Sequence, residues 1–571
     1  WDRQSIRGKI LFEPTDNFSA KLTLASTEND MGDNPSTRLD DPFSFEALSD
    51  LDAYHNIKSD QSALNLAWQI TDNLTLSSIS TLENGEYERQ DDFDSTAENS
   101  GQILQLGDSK VFAEEIRLNF QYDDFSGVAG IYYGETERKS SWDLQTKYAK
   151  SGVEQTAYAG MEALIFPQAV AFAQSQLPPL PVDLTGLSYE EIEQSLTPLI
   201  GGSFAQATVA GIRNGVTAQS DMIWSAVPDL IDIDQDYSSD YRAKNMAIFG
   251  EATWRASDKL AFTLGARYDY EKQQFSQNTF TAVDTVTSSN EANLLLSQLE
   301  ATLQEPGQDV DTDYNAILPK AAVQYFWTKK ISTAFTAQKG YRAGGSTVNL
   351  LDSKAYDYDP EYTWNYELAF RSVLLDGKMM LNSNIFYTDW TDQQVDFSPN
   401  GDPLNKYIAN AGESNLYGFE IESSGYLTDS LELFGNIGYV KTEYDDFTVI
   451  RDGLQSNLKG NEFKGAPNMT ATLGLSYRSK LGIFSSIDAN YQDQAYIDND
   501  NNDARQSDAR TVLNAKIGYE QESWSVSLWA TNLTDEEYIV LQYEPQAGIG
   551  IQDYATPGAP RMLGASLNVN F

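Results

Sequence analysis

Apolar and polar residues alternate with a period of two along most of the chain. In the stretch SIRGKILFEPTDNFSAKLTLAS, residues 5–26, two such runs flank a tight turn at 14–17. Because successive side chains of a strand point to opposite faces, this pattern predicts a hairpin with one apolar face. A soluble sandwich and a membrane barrel both contain such hairpins, so the number of hairpins must decide between the two.

The same hairpin unit recurs in order along the chain, for example in MAIFGEATWRASDKLAFTLGARYDYE and MTATLGLSYRSKLGIFSSIDANYQ. With the closing strand RMLGASLNVNF, we predict about nineteen strands of about 9–11 residues, the length that crosses a bilayer with tilt. Short turns alternate with long connections, which include 27–61, 136–244, 272–316, 341–361, 445–467 and 533–560. Short turns at one end and long loops at the other are typical of outer-membrane barrels. We therefore expect an all-β fold, a transmembrane antiparallel β-barrel that occupies residues 1–571.

Two of the long connections carry helix signals. The stretch SYEEIEQSLTPLI contains a capping box from Ser188 to Glu191, and YAGMEALIFPQAVAFAQSQ has helical spacing around Pro167. In a second connection, NEANLLLSQLEATL has the same character. We predict that 136–244 is a long extracellular loop with short helices, whose role could be ligand capture, partner docking or shielding.

Composition excludes several classes of protein. The chain of 571 residues has no cysteine and one histidine, which excludes disulfides, thiolate zinc sites and Cys/His catalysis. Its net charge of -45 argues against nucleic acid as a partner. Its mean hydropathy is -0.45, and no window is apolar enough for a membrane helix. Nothing marks a catalytic partner for His55, so we expect no enzyme, no catalytic residue and no cofactor.

Several stretches, in order along essentially the whole chain, resemble the barrel of TonB-dependent outer-membrane receptors. They include AIFGEATWRASDKLAFTLGARYDY, LPKAAVQY, KGYRAGG, NYELAFRSVLLDGKMMLNSNIFYTDWTDQQV, NAGESNLYGFEIE, GAPNMTATLGLSY and NLTDEEYIV. The resemblance implies a barrel of 22 strands with a plugged lumen. About nineteen of the expected 22 strands are visible here, so we expect that a plug and the first strands precede this sequence.

The resemblance also implies partners. TonB and its inner-membrane energising complex would act through that preceding N-terminal segment. Phe571, at the end of an amphipathic strand, resembles the signal that the barrel-assembly machinery recognises. Lipid and lipopolysaccharide would surround the barrel in the outer membrane of a Gram-negative bacterium, and an extracellular lipoprotein could cap it.

Two motifs supply candidate ligand-binding residues near the predicted mouth of the barrel. KGYRAGG contributes Tyr341 and Arg342, which could contact a ligand or simply end a strand. YDYDPEYTW contributes Tyr356, Tyr358 and Trp364, which could stack on a ligand ring or anchor the barrel at the membrane interface.

A third motif, YIDNDNNDARQSD, spaces Asp498, Asp500 and Asn502 like the start of a calcium loop. Asp503 stands where such a loop needs glycine, and Ala509 stands where it needs glutamate. A solvated acidic loop explains this stretch better, so we predict no metal site.

The function that the resemblance implies is import of a scarce nutrient, first of all a ferric siderophore bound as a small-molecule ligand. Import of an oligosaccharide or another small organic nutrient by the same mechanism is the alternative. A passive porin-like channel is a further alternative, because a barrel this wide encloses an aqueous channel unless it is plugged. A third possibility is an interaction surface for an extracellular partner.

Overall fold

A computed structural model describes residues 2–32, 37–38, 40–46, 49–92, 101–304, 307–349, 355–398, 406–451, 454–543 and 554–569. Their dominant feature is one antiparallel sheet of 19 strands. Each strand pairs with the strand that follows it in the sheet along the chain. The predicted number of strands and the antiparallel meander are therefore confirmed.

The strands of this sheet are numbered β1 to β19 in chain order. They are β1 Asp2–Thr15, β2 Phe18–Gly32, β3 Tyr54–Thr71, β4 Leu74–Asp92, β5 Gly101–Gln121, β6 Phe125–Ala149, β7 Leu230–Ser257, β8 Leu260–Val283, β9 Gln308–Thr328, β10 Ile331–Arg342, β11 Glu361–Leu374, β12 Met379–Phe397, β13 Tyr407–Thr428, β14 Leu431–Asp446, β15 Met469–Arg478, β16 Ile483–Gln492, β17 Arg510–Glu520, β18 Trp524–Thr531 and β19 Met562–Val569.

One face of the sheet, here called the outer face, exposes large apolar side chains in register across neighbouring strands. Ile131 of β6 is paired with Ile248 of β7, and Ile248 is paired with Tyr268 of β8. Ile248 is 61% exposed, which would be costly in water but suits contact with lipid. Near the short turns the outer face carries a belt of aromatic rings, such as Trp254 stacked on Phe262.

Many strands are longer than the predicted 9–11 residues. β6 has 25 residues and β7 has 28, so both continue well beyond the thickness of a bilayer. The loop predicted at 136–244 therefore shrinks to the connection 150–229. The prediction missed this extension because both faces of a strand carry polar residues once the strand leaves the membrane. The alternation of apolar and polar residues that marks a strand is then absent. His55, which falls within the predicted long connection 27–61, lies in β3 opposite Met31 and Arg89 for the same reason.

Four helices form a cap over the ends of β5 to β8. They are α1 Lys150–Gln176, α2 Tyr189–Ile200, α3 Gly202–Ser225 and α4 Asn290–Leu303. Met161, Ile212 and Leu295 meet in their shared core. The hydroxyl of Tyr158 donates to Asp221 at 2.7 Å, which ties α1 to α3 and raises the pKa of Tyr158 to about 12.

The helix signals in the sequence are confirmed, including the capping box of Ser188 and Glu191 and the position of Pro167 inside α1. Among the described residues, no helix is both long and apolar enough to cross a membrane.

Smaller elements lie at the same end of the sheet as the helical cap. They are the strand pairs Gly345–Val348 with Ala355–Tyr358, Thr448–Arg451 with Leu454–Asn457 and Ala495–Tyr496 with Gln506–Ser507, the three strands Thr37–Arg38, Ile539–Tyr543 and Tyr554–Pro557, and a 3-10 turn at Pro42–Ser44. A second 3-10 turn, Leu375–Gly377, lies at the opposite end between β11 and β12. Within the described ranges, no pairing joins β1 to β19. The predicted assembly signal Phe571 lies outside the described residues.

Candidate functional site

A cavity of about 960 Å³ lies against the inner face of the sheet, opposite the outer face. Its wall is built from alternate residues of β6, β7, β8 and β9, because every second side chain of these strands points inward. The wall includes the rings of Tyr132 and Tyr241 and the charged side chains of Arg138, Arg267, Asp269 and Glu271. Rings and charged groups therefore share one concave surface, as expected for a site that binds a polar ligand.

The charges of this wall are fixed by neighbours. Arg267 donates from Nε and Nη2 to Asp269 at 2.6 and 2.8 Å, and its guanidinium lies 5.4 Å from the centre of the Tyr132 ring. Glu271 accepts hydrogen bonds from Asn245 at 3.1 Å and from Gln273 at 2.6 Å. These side chains are thus held in place before any ligand arrives. Within the described part of the chain, Arg138 makes no ion pair and is exposed to the cavity.

The other side of the cavity is formed where β10 parts from β9. Their pairing ends at Lys320 and Gln338, whereas β10 remains paired with β11 as far as Arg342. Beyond Gln338 the chain runs into a small hairpin, Gly345–Val348 with Ala355–Tyr358, here called the inner hairpin. The backbone of Gly344 lies beside Tyr314 of β9, so the start of the inner hairpin packs against the inner face.

Tyr341 faces the cavity because of this parting. In the alternation of β10, Tyr341 belongs with Phe335, which is on the outer face. Once β10 leaves β9, the Tyr341 side chain instead lines the cavity and packs 5.5 Å from the ring of Tyr362. Its hydroxyl is buried and has no hydrogen-bond partner among the described residues. An unpaired buried hydroxyl is costly, so it is available to a ligand with a matching group.

Arg342 is held at the rim by a carboxylate that is almost fully buried. Its Nε lies 2.8 Å from Oε1 of Glu361, whose side chain is only 8% exposed. Glu361 also accepts a hydrogen bond of 2.7 Å from the backbone of Gln394, and Gln394 donates to the carbonyl of Ala343 at 2.8 Å. The guanidinium of Arg342 is therefore positioned while 59% of its side chain stays accessible.

The structure brings three of the five predicted ligand-binding residues together. Tyr341, Arg342 and Tyr358 all line the cavity. Tyr356 instead stacks on Tyr407, with ring centres 4.6 Å apart. Trp364 lies on the outer face, parallel to Tyr366 at 6.2 Å, because β11 stays in the wall. Trp364 therefore does not line the cavity, and its anchoring at the membrane interface stays a prediction.

The acidic loop predicted to resemble a calcium site is internally paired. Asp498 forms an ion pair of 3.2 Å with Arg505 and accepts hydrogen bonds from the backbone amides of Asp500 and Asn502. No group of three or more possible metal ligands occurs among the described residues.

Sequence reasoning missed the charged wall of β8. Arg267, Asp269 and Glu271 alternate with other residues in LGARYDYEKQQF, a pattern that is typical of the solvent-exposed polar face of an ordinary strand. One signal in the sequence could have revealed them. They lie on the face of β8 opposite its apolar side chains, and only this inner face lets charges at membrane depth contact a ligand.

A family model described as TonB dependent receptor-like, beta-barrel, matches residues 11–533. The chain belongs to this family. Barrels of the TonB-dependent receptor family lie in the outer membrane, so the exposed apolar face of the sheet is its lipid face. Receptors of the family work with TonB and bind small-molecule ligands, and they are transport proteins.

Curated relatives of the family match part of the chain. The metal-pseudopaline receptor CntO of Pseudomonas aeruginosa is 25% identical over 283 residues, which is 48% of this chain and 37% of CntO. The probable TonB-dependent siderophore receptor PiuA of Acinetobacter baumannii is 27% identical over 237 residues, 41% of this chain and 30% of PiuA. The chain thus matches about a third of the length of these relatives.

Solved structures agree with the fold of the TonB-dependent receptor family. The ferric yersiniabactin uptake receptor FyuA of Yersinia pestis superposes with a TM-score of 0.69 at 15% identity, covering 100% of this chain and 71% of FyuA. The siderophore receptor PiuA of Acinetobacter baumannii gives 0.63 at 16% identity, covering 99% and 74%. At such identities the likeness concerns the fold alone.

Proposed function

We propose that this chain is the barrel of an outer-membrane receptor that imports a scarce nutrient, first of all a ferric siderophore. The observation that carries the proposal is the cavity on the inner face, in which rings and fixed charges surround about 960 Å³. That volume lies in the range of sites for small organic ligands. The names of two relatives, a metal-pseudopaline receptor and a siderophore receptor, support the choice of cargo.

In this proposal Tyr341, Arg342 and Tyr358 contact the ligand. Arg342 supplies a positioned positive charge, and Arg138 supplies a second one on the opposite wall. Two guanidinium groups suit a ligand with carboxylate, phenolate or hydroxamate oxygens. The tyrosine rings supply flat apolar surface beside those charges. Tyr356 and Trp364 then act at a distance, the first by seating the inner hairpin and the second by anchoring the wall.

The proposal also includes partners and excludes catalysis. TonB with its inner-membrane energising complex would drive release of the ligand, and the barrel-assembly machinery would insert the barrel. The helices of the 136–244 segment would stand outside the cell, where they could meet a ligand or an extracellular protein. The proposed role is transport without an enzymatic step and without a resident cofactor.

The test is accumulation of labelled ferric siderophore by cells that depend on this receptor, with the proton gradient intact or collapsed. We expect accumulation to stop when the gradient is collapsed, while binding to the cell surface persists. The Arg342→Gln variant should lose surface binding, whereas the Asp376→Asn variant in a distant turn should keep it. Accumulation that continues without the gradient contradicts the proposal and, with ohmic conductance in planar bilayers, would indicate a passive channel.

A further inference from the structure

The charged side chains that line the cavity do not all neutralise one another. Four of them belong to three ion pairs, with N–O distances of 2.6, 2.8 and 3.3 Å, which are Arg267 with Asp269, Arg342 with Glu361 and Glu135 with Lys244. Among the described lining residues, Arg138 and Glu271 are the two charged side chains outside any ion pair. The cavity therefore presents one uncompensated positive charge and one uncompensated negative charge to a ligand.

The carboxylate of Glu271 is held by neutral donors. Its Oε1 accepts a hydrogen bond of 2.6 Å from the side-chain amide of Gln273, and its Oε2 accepts one of 3.1 Å from Asn245. These amides fix the carboxylate but leave its negative charge in place. A ligand cation that lies against Glu271 can therefore interact with this charge without donating a hydrogen bond of its own.

Tyrosine rings surround this carboxylate. Tyr314 of β9 lies directly opposite Glu271, on the same inner face. In the inner hairpin, a Cβ atom on Gly345 would come within 2.6 Å of the Tyr358 hydroxyl and 3.5 Å of Oε1 of Gln273. The hydroxyl of Tyr358 thus lies beside the side chain that donates to Glu271. Rings from the wall and from the inner hairpin meet at the same carboxylate.

Two further tyrosines complete this group. Tyr241 and Tyr341 line the same cavity, and the charge of Glu271 acts on both hydroxyl groups. We call Tyr241, Tyr314, Tyr341 and Tyr358 the tyrosine cage. Among the described residues, no lysine or arginine stacks on a ring of the cage. Aromatic rings attract cations electrostatically, and grouped rings are the chemistry that binds quaternary ammonium ligands.

An alkylated ammonium group suits the tyrosine cage better than a primary one. A primary ammonium group is compact and strongly hydrated, so its transfer from water into the cavity is costly. Methyl groups on the nitrogen weaken this hydration and add apolar surface, which gains free energy on contact with the rings. Glu271 supplies the opposite charge in both cases, so the rings favour the alkylated cation.

Arg138 lies on the other side of Tyr241. The two residues are directly opposite each other on β6 and β7, and Tyr241 interacts with the charges of both Arg138 and Glu271. The row of Tyr241 and the row of Asn245 and Glu271 are four residues apart, which is about 13 Å along the strands. The long side chain of Arg138 narrows this gap to the length of a small ligand. Its guanidinium group suits a carboxylate or phosphate.

We propose that the ligand of this cavity is a zwitterion with a fully alkylated ammonium group at one end and an anionic group at the other. The ammonium group lies against Glu271 within the tyrosine cage, and the anionic group lies against Arg138. This inference rests on the proposed import function and narrows the chemical class of its cargo. A ferric siderophore belongs to this class when it carries both groups.

The experiment is isothermal titration calorimetry of the purified receptor in detergent with three water-soluble probes. They are 6-(trimethylammonio)hexanoate, 6-aminohexanoate, which has a primary ammonium group, and hexanoate, which has no cation. We expect the trimethylated probe to bind about tenfold more tightly than either of the others, a difference of about 1.4 kcal/mol that a cation–π contact can supply. Equal or tighter binding of 6-aminohexanoate, or no binding of the trimethylated probe, overturns the proposal.

The outcome is separate from the test of import. Calorimetry measures binding without a proton gradient, whereas accumulation in cells requires one. If the trimethylated probe is not preferred while another ligand still accumulates with the gradient, this inference fails and import stands. If the preference is present while accumulation continues without the gradient, import by TonB fails and the ligand class stands.

Variants assign the preference to these residues. Glu271→Gln should remove the advantage of the trimethylated probe over hexanoate, and Arg138→Gln should weaken both probes alike. Tyr358→Leu should reduce the advantage severalfold, whereas Tyr358→Phe should keep it because the ring remains. Glu86→Gln is the matched control, because Glu86 is an exposed glutamate on the outer face of β4. If Glu271→Gln does not fold, the two Tyr358 variants still decide. An unchanged preference in the folded variants, or an equal loss in Glu86→Gln, overturns the proposal.

Discussion

Gly344 lies so close to Tyr314 that a Cβ atom on Gly344 would come within 2.9 Å of the Tyr314 hydroxyl oxygen. The same Cβ would collide with the carbonyl oxygen of Tyr358, which belongs to the backbone of the inner hairpin. Glycine is thus the residue that lets this segment approach the inner face. The contact between Gly344 and Tyr314 therefore places the start of the inner hairpin against β9, beside the cavity.

We therefore expect Gly344→Ala to displace the inner hairpin from β9. Native trypsin digestion, followed by mass spectrometry, should show faster cleavage after Arg342 in this variant. Gly32→Ala is the control, since a Cβ on Gly32 meets nothing within 4 Å. An unchanged cleavage rate in Gly344→Ala would mean that the hairpin absorbs the methyl group without moving.

The pair of Arg267 and Asp269 should contribute to stability. Asp269 is 6% exposed, so Arg267→Gln leaves a buried carboxylate with one strong partner fewer. Because Arg267 itself is one-third exposed, we discount the full cost of a broken buried pair and expect a loss of about 2 kcal/mol in the free energy of unfolding. Urea unfolding followed by tryptophan fluorescence measures this loss. Lys378→Gln, which breaks an exposed pair with Asp429, should change the free energy by less than about 0.5 kcal/mol.

The outer and inner faces should respond differently to a charge. Leu264 is 68% exposed on the outer face, so Leu264→Arg should destabilise the barrel in lipid by about 2–4 kcal/mol. Thr336 lies on the inner face of β10, directly opposite Glu367, and Thr336→Arg should be tolerated because its charge finds a partner. Unfolding in lipid vesicles compares the two variants. Equal destabilisation would contradict the assignment of the faces.

The capping box of α2 should stabilise the cap. Ser188 accepts a hydrogen bond from the backbone of Glu191, and the Glu191 carboxylate accepts one of 2.9 Å from the backbone of Ser188. We expect Ser188→Ala to lower the stability of the cap by about 1 kcal/mol. Hydrogen exchange at the buried residues Ile192 and Leu196 reports this change, which should not reach the strands of the sheet.

The same capping box predicts a dependence on pH. Hydrogen bonds from the backbone and hydroxyl of Ser188 lower the pKa of Glu191 below its usual value. The stability that this carboxylate adds is therefore complete above its usual pKa and is lost as the pH falls through the lowered pKa. The protection factor at Ile192, which corrects the exchange rate for its intrinsic dependence on pH, should fall in acid in the natural chain and much less in Glu191→Gln, whose amide does not titrate. Identical acid profiles would contradict this origin.

The repeating part of the fold is readable from sequence, because each strand repeats one local rule. The alternation of Ile6, Ile10 and Phe12 predicts β1, and similar alternation predicts the other strands and their order. The signal for the N-terminus of α2, the capping box of Ser188 and Glu191, is equally local.

Features that depend on an interruption of the alternation between apolar and polar residues could not be predicted from the sequence. Tyr341 occupies an outer position in β10 and yet lines the cavity, because the strand leaves its neighbour after Gln338. Helix α3 was missed because Gly211 and Gly215 weaken its propensity, although Val209, Ile212 and Val216 share a buried face that could have revealed it. The cavity itself requires four strands at once, which no single stretch encodes.

The cap also bears on how the chain assembles. Every second pair of neighbouring strands is joined by a short turn, so its pairing closes a small loop, whereas β6 and β7 are separated by the connection 150–229. Closing a loop of that length costs about 3 kcal/mol more than closing a four-residue turn. Association of α1, α2 and α3 brings the ends of this connection together, with Lys150 bonded to the carbonyl of Asp229 at 2.9 Å. Association of the helices thus offsets part of this loop-closure cost, so that strand pairing can continue from β6 to β7 across the longest connection between neighbouring strands of the sheet.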